Sequence, residues 1–228
     1  DRGRTLQTMV SLLDEIGYKV AYKVLRSQYL DVPQKRERLI IVAIRKDLNI
    51  PFLFPKEKDY IITLKEALDS VPDSLGQTYP QRKFEIMKLI PPGGYWKDLP
   101  LAIQKEYMGK SYYHTGGRTG MARRLSWDEP SLTLTTSPAQ KQTERCHPET
   151  TRPLTIREYA RIQSFPDDWQ ITGSISSQYK QIGNAVPVNL GYHIGKAVIA
   201  MLENSSDREN FVELAPISTE IPIQASFF

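Results

Sequence analysis

The stretch "VPQKRER" at residues 32–38 runs directly into "LIIVAI" at residues 39–44. An apolar run of that length reads as a strand covered on both faces, as in an α/β layered domain. Yet the strand opens on Lys35, Arg36, Glu37 and Arg38, set behind a rigid Val32-Pro33. Burying guanidinium groups without partners is costly. Either these residues form a solvated charge run, or they are aimed at something polar that binds there. If the segment is extended, period two places Gln34, Arg36 and Arg38 on one side and Lys35 and Glu37 on the other. The first side offers an amide and two fixed forks of donors, suited to a carbonyl oxygen and a phosphate.

Upstream, Leu6, Met9, Val10, Leu13 and Ile16 form a helical stripe that Gly17 is placed to end. "YKVAYKVL" (18–25) alternates with period two and reads as a strand with one covered and one more exposed face. One helix and two strands amount to the edge of an α/β domain and are too little to be a whole one. The first segment is therefore set at 1–46.

From 47 to 150 the texture changes to Pro- and Gly-rich stretches such as "IPFLFP", "LIPPGGYWKDLP" and "HTGGRTG". A short helix is expected over 63–71, where Thr63 and Glu66 have capping-box spacing. The rest reads as an irregular, mostly β and loop domain, with many side chains suited to nucleic acid. "HTGGRTG" lacks the Gly-Lys-Ser/Thr of a P-loop. It reads as a flexible turn, or as backbone able to approach a groove beside Arg123 and Arg124.

Regular helix returns over 151–203. Thr155 and Glu158 form a second capping box, Ile156, Tyr159 and Ala160 share a face, and Pro166 ends the helix. A short helix is expected to stop at Gly183-Asn184, with Asn184 on its own reading as a left-handed residue after a helix. Pro187 then starts a helix with apolar Leu190, Ile194, Ala197, Val198 and Met201. The tail, 204–228, shows no period and reads as extended or partly disordered.

Composition narrows the class. The chain has 228 residues and a formal net charge of +4, which permits an anionic partner without requiring one. No apolar run is long enough for a membrane span and no secretory leader is seen. The first residue is Asp1 rather than Met, which suggests a fragment, a processed product or one half of something. A single cysteine, Cys146, excludes an internal disulfide and points to a reducing compartment, the cytoplasm. One cysteine and three histidines do not make a zinc site, so no metal is expected. Cys146 beside His147 reads as a small residue in a loop rather than a nucleophile.

Each piece is weak alone, but their order and spacing are not. "VPQKRER", a hundred irregular residues, "RPLTIREYARIQSFPDDW" and then "QIGNAVPVNLG" resemble the C-terminal half of a bacterial-type DNA cytosine-5 methyltransferase. The three stretches are similar to that family's motifs VIII, IX and X, the middle to its target recognition domain, and the start to the region around motif VII. The resemblance implies a fragment of a Rossmann-like sheet edge, S-adenosyl-L-methionine as cofactor and duplex DNA as substrate. It further implies a cytosine swung out of the duplex, with donors on its O2 stabilising the charge that builds during attack.

By the same resemblance, Arg38 holds the cytosine O2, Arg36 contacts the adjacent phosphate, and Gln34 shapes the motif. Asn184 and Ala185 lie against the methionine end of the cofactor. In the middle region, "SLTLTT" matches the family's Thr-Leu pair at Thr133 and Leu134. Arg123 occupies the place of a base-reading arginine, with Arg118, Arg124 and Lys141 as further DNA contacts. Arg157 and Arg161 are expected to be structural donors.

The family's glycine-rich cofactor motif, Pro-Cys loop and Glu-Asn-Val motif do not occur. The expectation is therefore a partner segment or subunit carrying the nucleophile, docking on the apolar face and strand edge at 18–45. The alternatives are a non-catalytic DNA-binding or specificity module, an RNA cytosine methyltransferase of the same lineage, and an unrelated α/β interaction protein.

Overall fold

The apolar periodicity at the start of the chain produces a helix and a two-stranded antiparallel ribbon, here seen in a computed structural model that describes residues 3–205 and 208–217. In chain order the elements are α1 (Arg4–Glu15), β1 (Tyr18–Arg26), β2 (Gln34–Lys35), β3 (Glu37–Arg45), β4 (Phe52–Pro55), α2 (Leu64–Ala67), α3 (Gln81–Lys88), α4 (Leu101–Met108), β5 (Ser131–Leu132), α5 (Ile156–Ile162), α6 (Ile175–Asn184), α7 (Val188–Leu202) and β6 (Phe211–Leu214). They divide into two compact units. The first lies within Asp1–Arg26, Glu37–Lys58 and Gly191–Phe228; the second is Ser27–Arg36 with Asp59–Leu190. The opening motif therefore straddles a boundary: the chain passes from the second unit to the first between Arg36 and Glu37.

In the first unit β1 and β3 pair antiparallel from Tyr18↔Arg45 to Arg26↔Glu37. Alternation along a strand sends neighbours to opposite faces. Val20, Tyr22, Leu39, Ile41 and Ala43 meet Leu6, Val10 and Leu13 of α1. Ala21, Ile40, Val42 and Ile44 face the other way, onto Phe52, Leu53 and Phe54 of β4 and Ala200 and Met201 of α7. Both faces of β1 are thus covered, where alternation had suggested one more exposed face. The "IPFLFP" region, read as irregular, holds β4, which pairs antiparallel with β6 of the tail. Residues 206–207 and 218–228 of the tail lie outside the described residues.

The second unit has two cores. One gathers Leu64 and Leu68 around α2, Leu125, Leu134, Leu154, and Ile156, Tyr159, Ala160 and Ile162 of α5, with Tyr179 and Ile182 of α6. The other joins Met87 of α3 and Met108 of α4 to Ile90, Trp96, Leu99, Met121, Ala122 and Cys146. Helices α3 and α4 lie in the region expected to be mostly β and loop. Both begin after a proline, Pro80 and Pro100. Proline tolerates a helix start because its missing N–H would be unpaired there anyway.

The capping boxes form as their spacing requires. The Thr63 and Thr155 side chains accept from the N–H of Glu66 and Glu158, whose carboxylates reach back to the cap N–H. Arg157 donates to the carbonyls of Pro166 and Trp169. Arg161 pairs with Asp167 and also donates to the carbonyls of Ala67, at the end of α2, and of Asp69 and Ser70 beyond it. Residues 175–202 contain a window apolar and long enough for a membrane span by composition. They are broken, however, between Asn184 and Val188. The 15 residues of α7 reach about 22 Å, short of a ~30 Å hydrocarbon core.

A buried charge group ties the two cores together. Arg152 donates to both carboxylate oxygens of Glu158 at 2.8 and 2.7 Å, and Thr155 N–H adds a third bond at 2.7 Å. Burial alone would raise this carboxyl; the Arg152 and Thr155 bonds outweigh it and hold it below the usual glutamate range. His147 accepts two backbone N–H bonds on Nδ1, from Glu149 and Thr150. Burial lowers its affinity for a proton despite the nearby Glu158. Both groups bind protons less readily folded than unfolded. Their stabilisation is complete above about pH 6.5 and is lost as pH falls through the histidine and then the carboxylate range. Urea titrations should therefore show a falling midpoint from pH 7 to pH 4. Glu158→Gln should lower stability at pH 7 by about 2–3 kcal/mol and flatten the acid part of that decline. An unchanged slope would assign the acid sensitivity to other groups.

Candidate base and cofactor site

The site grows from two glutamines in the second unit. Gln34 and Gln163 are both fully buried. A buried amide must find partners for its N–H and its oxygen. Gln34 Oε1 accepts from Leu134 N–H at 2.9 Å, and its Nε2 donates to Gln163 Oε1 at 3.0 Å. Gln163 Nε2 in turn donates to the Ile182 carbonyl at 2.7 Å. Donation runs in one direction, from Leu134 through two amides to the last turn of α6. Beside it, β2 and β5 pair in parallel as Gln34↔Ser131 and Lys35↔Leu132. Thr133 Oγ1 donates to the Lys35 carbonyl at 2.6 Å. Four stretches far apart in sequence, "VPQKR", "SLTLTT", "RIQSF" and "QIGNAVP", are joined by these bonds.

The parity argument holds for Gln34 and Arg36, which both point inward, while Lys35 pairs with Glu129 at 2.7 Å. Arg36 is 7% exposed and donates to the Leu134 carbonyl at 3.3 Å. In this position the guanidinium braces the segment that follows β5. Arg38 differs. It belongs to the first unit, lies exposed on β3, and donates to the Glu37 carbonyl at 2.6 Å.

The cofactor candidates lie just past the relay. Helix α6 runs through Asn184, so Asn184 is helical and exposed rather than a left-handed cap, and Ala185 is the half-buried residue that ends it. Gly183 has a different task from the one its position suggests. A Cβ there would lie 2.1 Å from the Thr135 carbonyl oxygen, so only glycine permits this approach. The donor set offered here is one exposed side-chain amide on a helix end. Such an amide is a donor of the kind that a carboxylate of an amino-acid group can accept from.

The DNA candidates separate. Arg124 is 3% exposed and donates to the carbonyls of Ile90, Met87, His147 and Glu149 and to Thr151 Oγ1. It cross-links the loops of the second core. Leu134 is likewise buried, at 1% exposure, and Thr133 spends its hydroxyl on Lys35. Arg123 is half-buried, its guanidinium 6.0 Å from the Tyr95 ring centroid. Arg118 is half-buried with a left-handed φ of 45° and donates to the Thr115 carbonyl. Lys141 is exposed, 4.8 Å from the Tyr107 ring centroid.

Residues that sequence reading missed are Gln163, Gly183 and Arg145. Arg145, 4% exposed, donates to the Thr133 carbonyl, and burial brings its pKa down to about 10. The signal for Gln163 is a lone amide ending an otherwise apolar helical face. Gly183 is visible in the sequence, but there it reads as helix termination.

Residues 1–200 match the family model for C-5 cytosine-specific DNA methylase. The chain belongs to that family. It is 59% identical over 218 residues to the Escherichia coli type II methyltransferase M.Eco47II, covering 91% of this chain and 52% of the relative. It is 56% identical over 206 residues to M.Sau96I of Staphylococcus aureus, covering 89% and 48%. The chain thus spans about half the length of these relatives. In fold it resembles an Entamoeba histolytica methyltransferase, EhMeth, with a TM-score of 0.53 at 14% identity, covering 86% of this chain and 58% of the other.

If Gly183 serves the approach of α6 to Thr135, Gly183→Ala should cost about 3 kcal/mol by overpacking, read in chemical denaturation. A loss below about 0.5 kcal/mol, the ordinary surface level, would remove that constraint.

Proposed function

We propose that this chain is the C-terminal part of a DNA cytosine-5 methyltransferase, supplying target recognition and one wall each of the base and cofactor pockets. The observation that carries the reading is the buried Gln34–Gln163 relay, because it draws together the stretches that resemble motifs VIII and IX and the start of motif X. The nucleophilic cysteine and most of the cofactor site come from an N-terminal segment or separate subunit. S-adenosylmethionine supplies the methyl group. Asn184 orients its amino-acid end, and Ala185 lines the turn beside it. Arg38 donates to O2 of a cytosine extruded from duplex DNA, where charge develops during attack. Arg123 reads a guanine, and Arg118 and Lys141 contact the DNA backbone. The setting is a type II restriction-modification system in the cytoplasm.

The first unit has surfaces suited to that N-terminal piece. Helix α1 exposes Met9 and Leu12, Ile16 just past its end is exposed too, and α7 exposes Tyr192, Ile199 and Leu202. Residues Leu39–Ala43 of β3 are only half-buried, although the run is wholly apolar. These faces extend the docking surface, expected at 18–45, onto both helices.

The test is complementation. The chain is mixed with the N-terminal half of a 56–59% identical relative, and transfer of labelled methyl groups to duplex DNA is measured. Transfer supports the reading. DNA binding without transfer by any front half would favour a non-catalytic module, and a preference for transfer RNA over duplex DNA would favour an RNA enzyme. In the active mixture, Arg38→Ala should lower kcat about 10²–10³-fold while DNA affinity stays within about twofold. Equal losses in both would refute its assigned role.

Arg123→Ala should relax discrimination at one guanine by about 1–3 kcal/mol. Weakening that is uniform across DNA sequences would mark it as a phosphate contact instead.

A further inference from the structure

We infer that Gln163 is a positioning residue that clamps the Gly183–Pro187 segment, the end of α6 and the turn after it, from both ends and ties it to β2, next to Arg36. The inference rests on the function proposed above for that turn.

The clamp is visible in the bonds around the end of α5. Before the turn, Gln163 Nε2 holds the Ile182 carbonyl at 2.7 Å. After the turn, the Gln163 carbonyl accepts from Val188 N–H at 3.0 Å. The next residue, Ser164, accepts from Asn189 N–H on its Oγ at 3.0 Å. Two neighbouring residues therefore grip both flanks of a five-residue segment whose own side chains at Asn184 and Val186 are exposed. The turn keeps an open face while its backbone is fixed from behind.

The same amide sets the direction of the relay. Leu134 N–H fixes the oxygen end of Gln34, and the Ile182 carbonyl fixes the nitrogen end of Gln163. Neither amide can turn over without facing like against like at a buried position. Gln163 is therefore the side chain in this relay that connects β2 to the end of α6. A shift at one is passed to the other through two direct hydrogen bonds.

A carboxyl in place of the amide gives a diagnostic. When ionised, the carboxylate introduced by Gln163→Glu keeps an acceptor for Gln34 but opposes a second oxygen to the Ile182 carbonyl. When protonated, the same group restores the donor. In the complemented enzyme, Gln163→Glu should raise KM for S-adenosylmethionine at least tenfold at pH 8 and recover most of it at pH 5.5, with DNA affinity within twofold throughout. Gln163→Met should raise KM by a similar factor at both pH values. A merely structural role predicts a lower melting temperature with KM unchanged wherever the protein is folded, and that result would overturn the inference.

A second readout uses the chain alone. Hydrogen exchange in Gln163→Met should rise at Ala185, Val188 and Asn189 by tenfold or more beyond any rise in the α5 amides and the second core. A uniform rise would also overturn the clamp. Failure of every front half to restore methyl transfer, with the selective exchange still observed, would sink the proposed function and leave the clamp standing.

Discussion

A buried amide admits no compromise: each N–H and each oxygen left without a partner costs on the order of 1–3 kcal/mol. Gln34 and Gln163 meet that demand by pairing with each other and with one backbone group apiece. The second unit is arranged around this requirement. Residues 34, 134, 163 and 182 must meet within hydrogen-bonding distance, although the separations are 100 and 129 positions between Gln34 and its partners and 19 between Gln163 and Ile182. Apolar contacts among Leu134, Tyr159 and Ile182 supply the bulk of the burial there. Such contacts are tolerant of direction, whereas the amides are not. The glutamines therefore specify which of many possible packings is adopted.

The close contact of α6 with Thr135 follows from the same geometry. Once Ile182 is held by Gln163, the next residue is carried against the Thr135 backbone, where any Cβ would collide. Tyr159 reinforces the spot, its hydroxyl donating to the Thr135 carbonyl at 3.1 Å while receiving Thr135 N–H at 3.3 Å. Asn189 Nδ2, donating to the Asp31 carbonyl at 2.7 Å, returns the start of α7 to the loop that leads into β2. The circuit from residue 31 to residue 189 is closed within one unit.

Much of this was legible in sequence where local chemistry decides the outcome. The capping boxes at Thr63 and Thr155 depend on residues three apart and formed as expected. The helical stripe of α1 and the strand β1 followed from periodicity and β3 from its apolar run, while their antiparallel pairing was not read. Inward pointing of Gln34 and Arg36 followed from period two, but what they would meet did not. An arginine reads identically in sequence whether it is aimed at DNA or at four carbonyls and a hydroxyl. Only the return of residues 87–90 and 147–151 to Arg124 decides that case. Strand β4 was hidden by flanking prolines because its partner, β6, lies more than 150 residues on. Helices α3 and α4 were hidden by the same prolines that start them.

The charges at the mouth of the apolar strand thus have two different physical explanations within one heptapeptide. Arg36 tolerates burial because its guanidinium meets a backbone carbonyl inside the second unit. Arg38 avoids burial altogether, lying exposed at the start of β3. The change occurs where the chain crosses from one unit to the other, and a solvated charge run would have shown no such division. In the first unit the wholly apolar strand that follows stays half uncovered over Leu39–Ala43, while α1 and α7 leave Ile16 and Leu202 about 70% exposed. Apolar surface of this extent on neighbouring elements is characteristic of an interface rather than of a free protein face. A strand that is fully apolar but half-covered has the sequence of a central strand and the setting of an edge. That mismatch is what supports the docking proposed above for this face of the first unit.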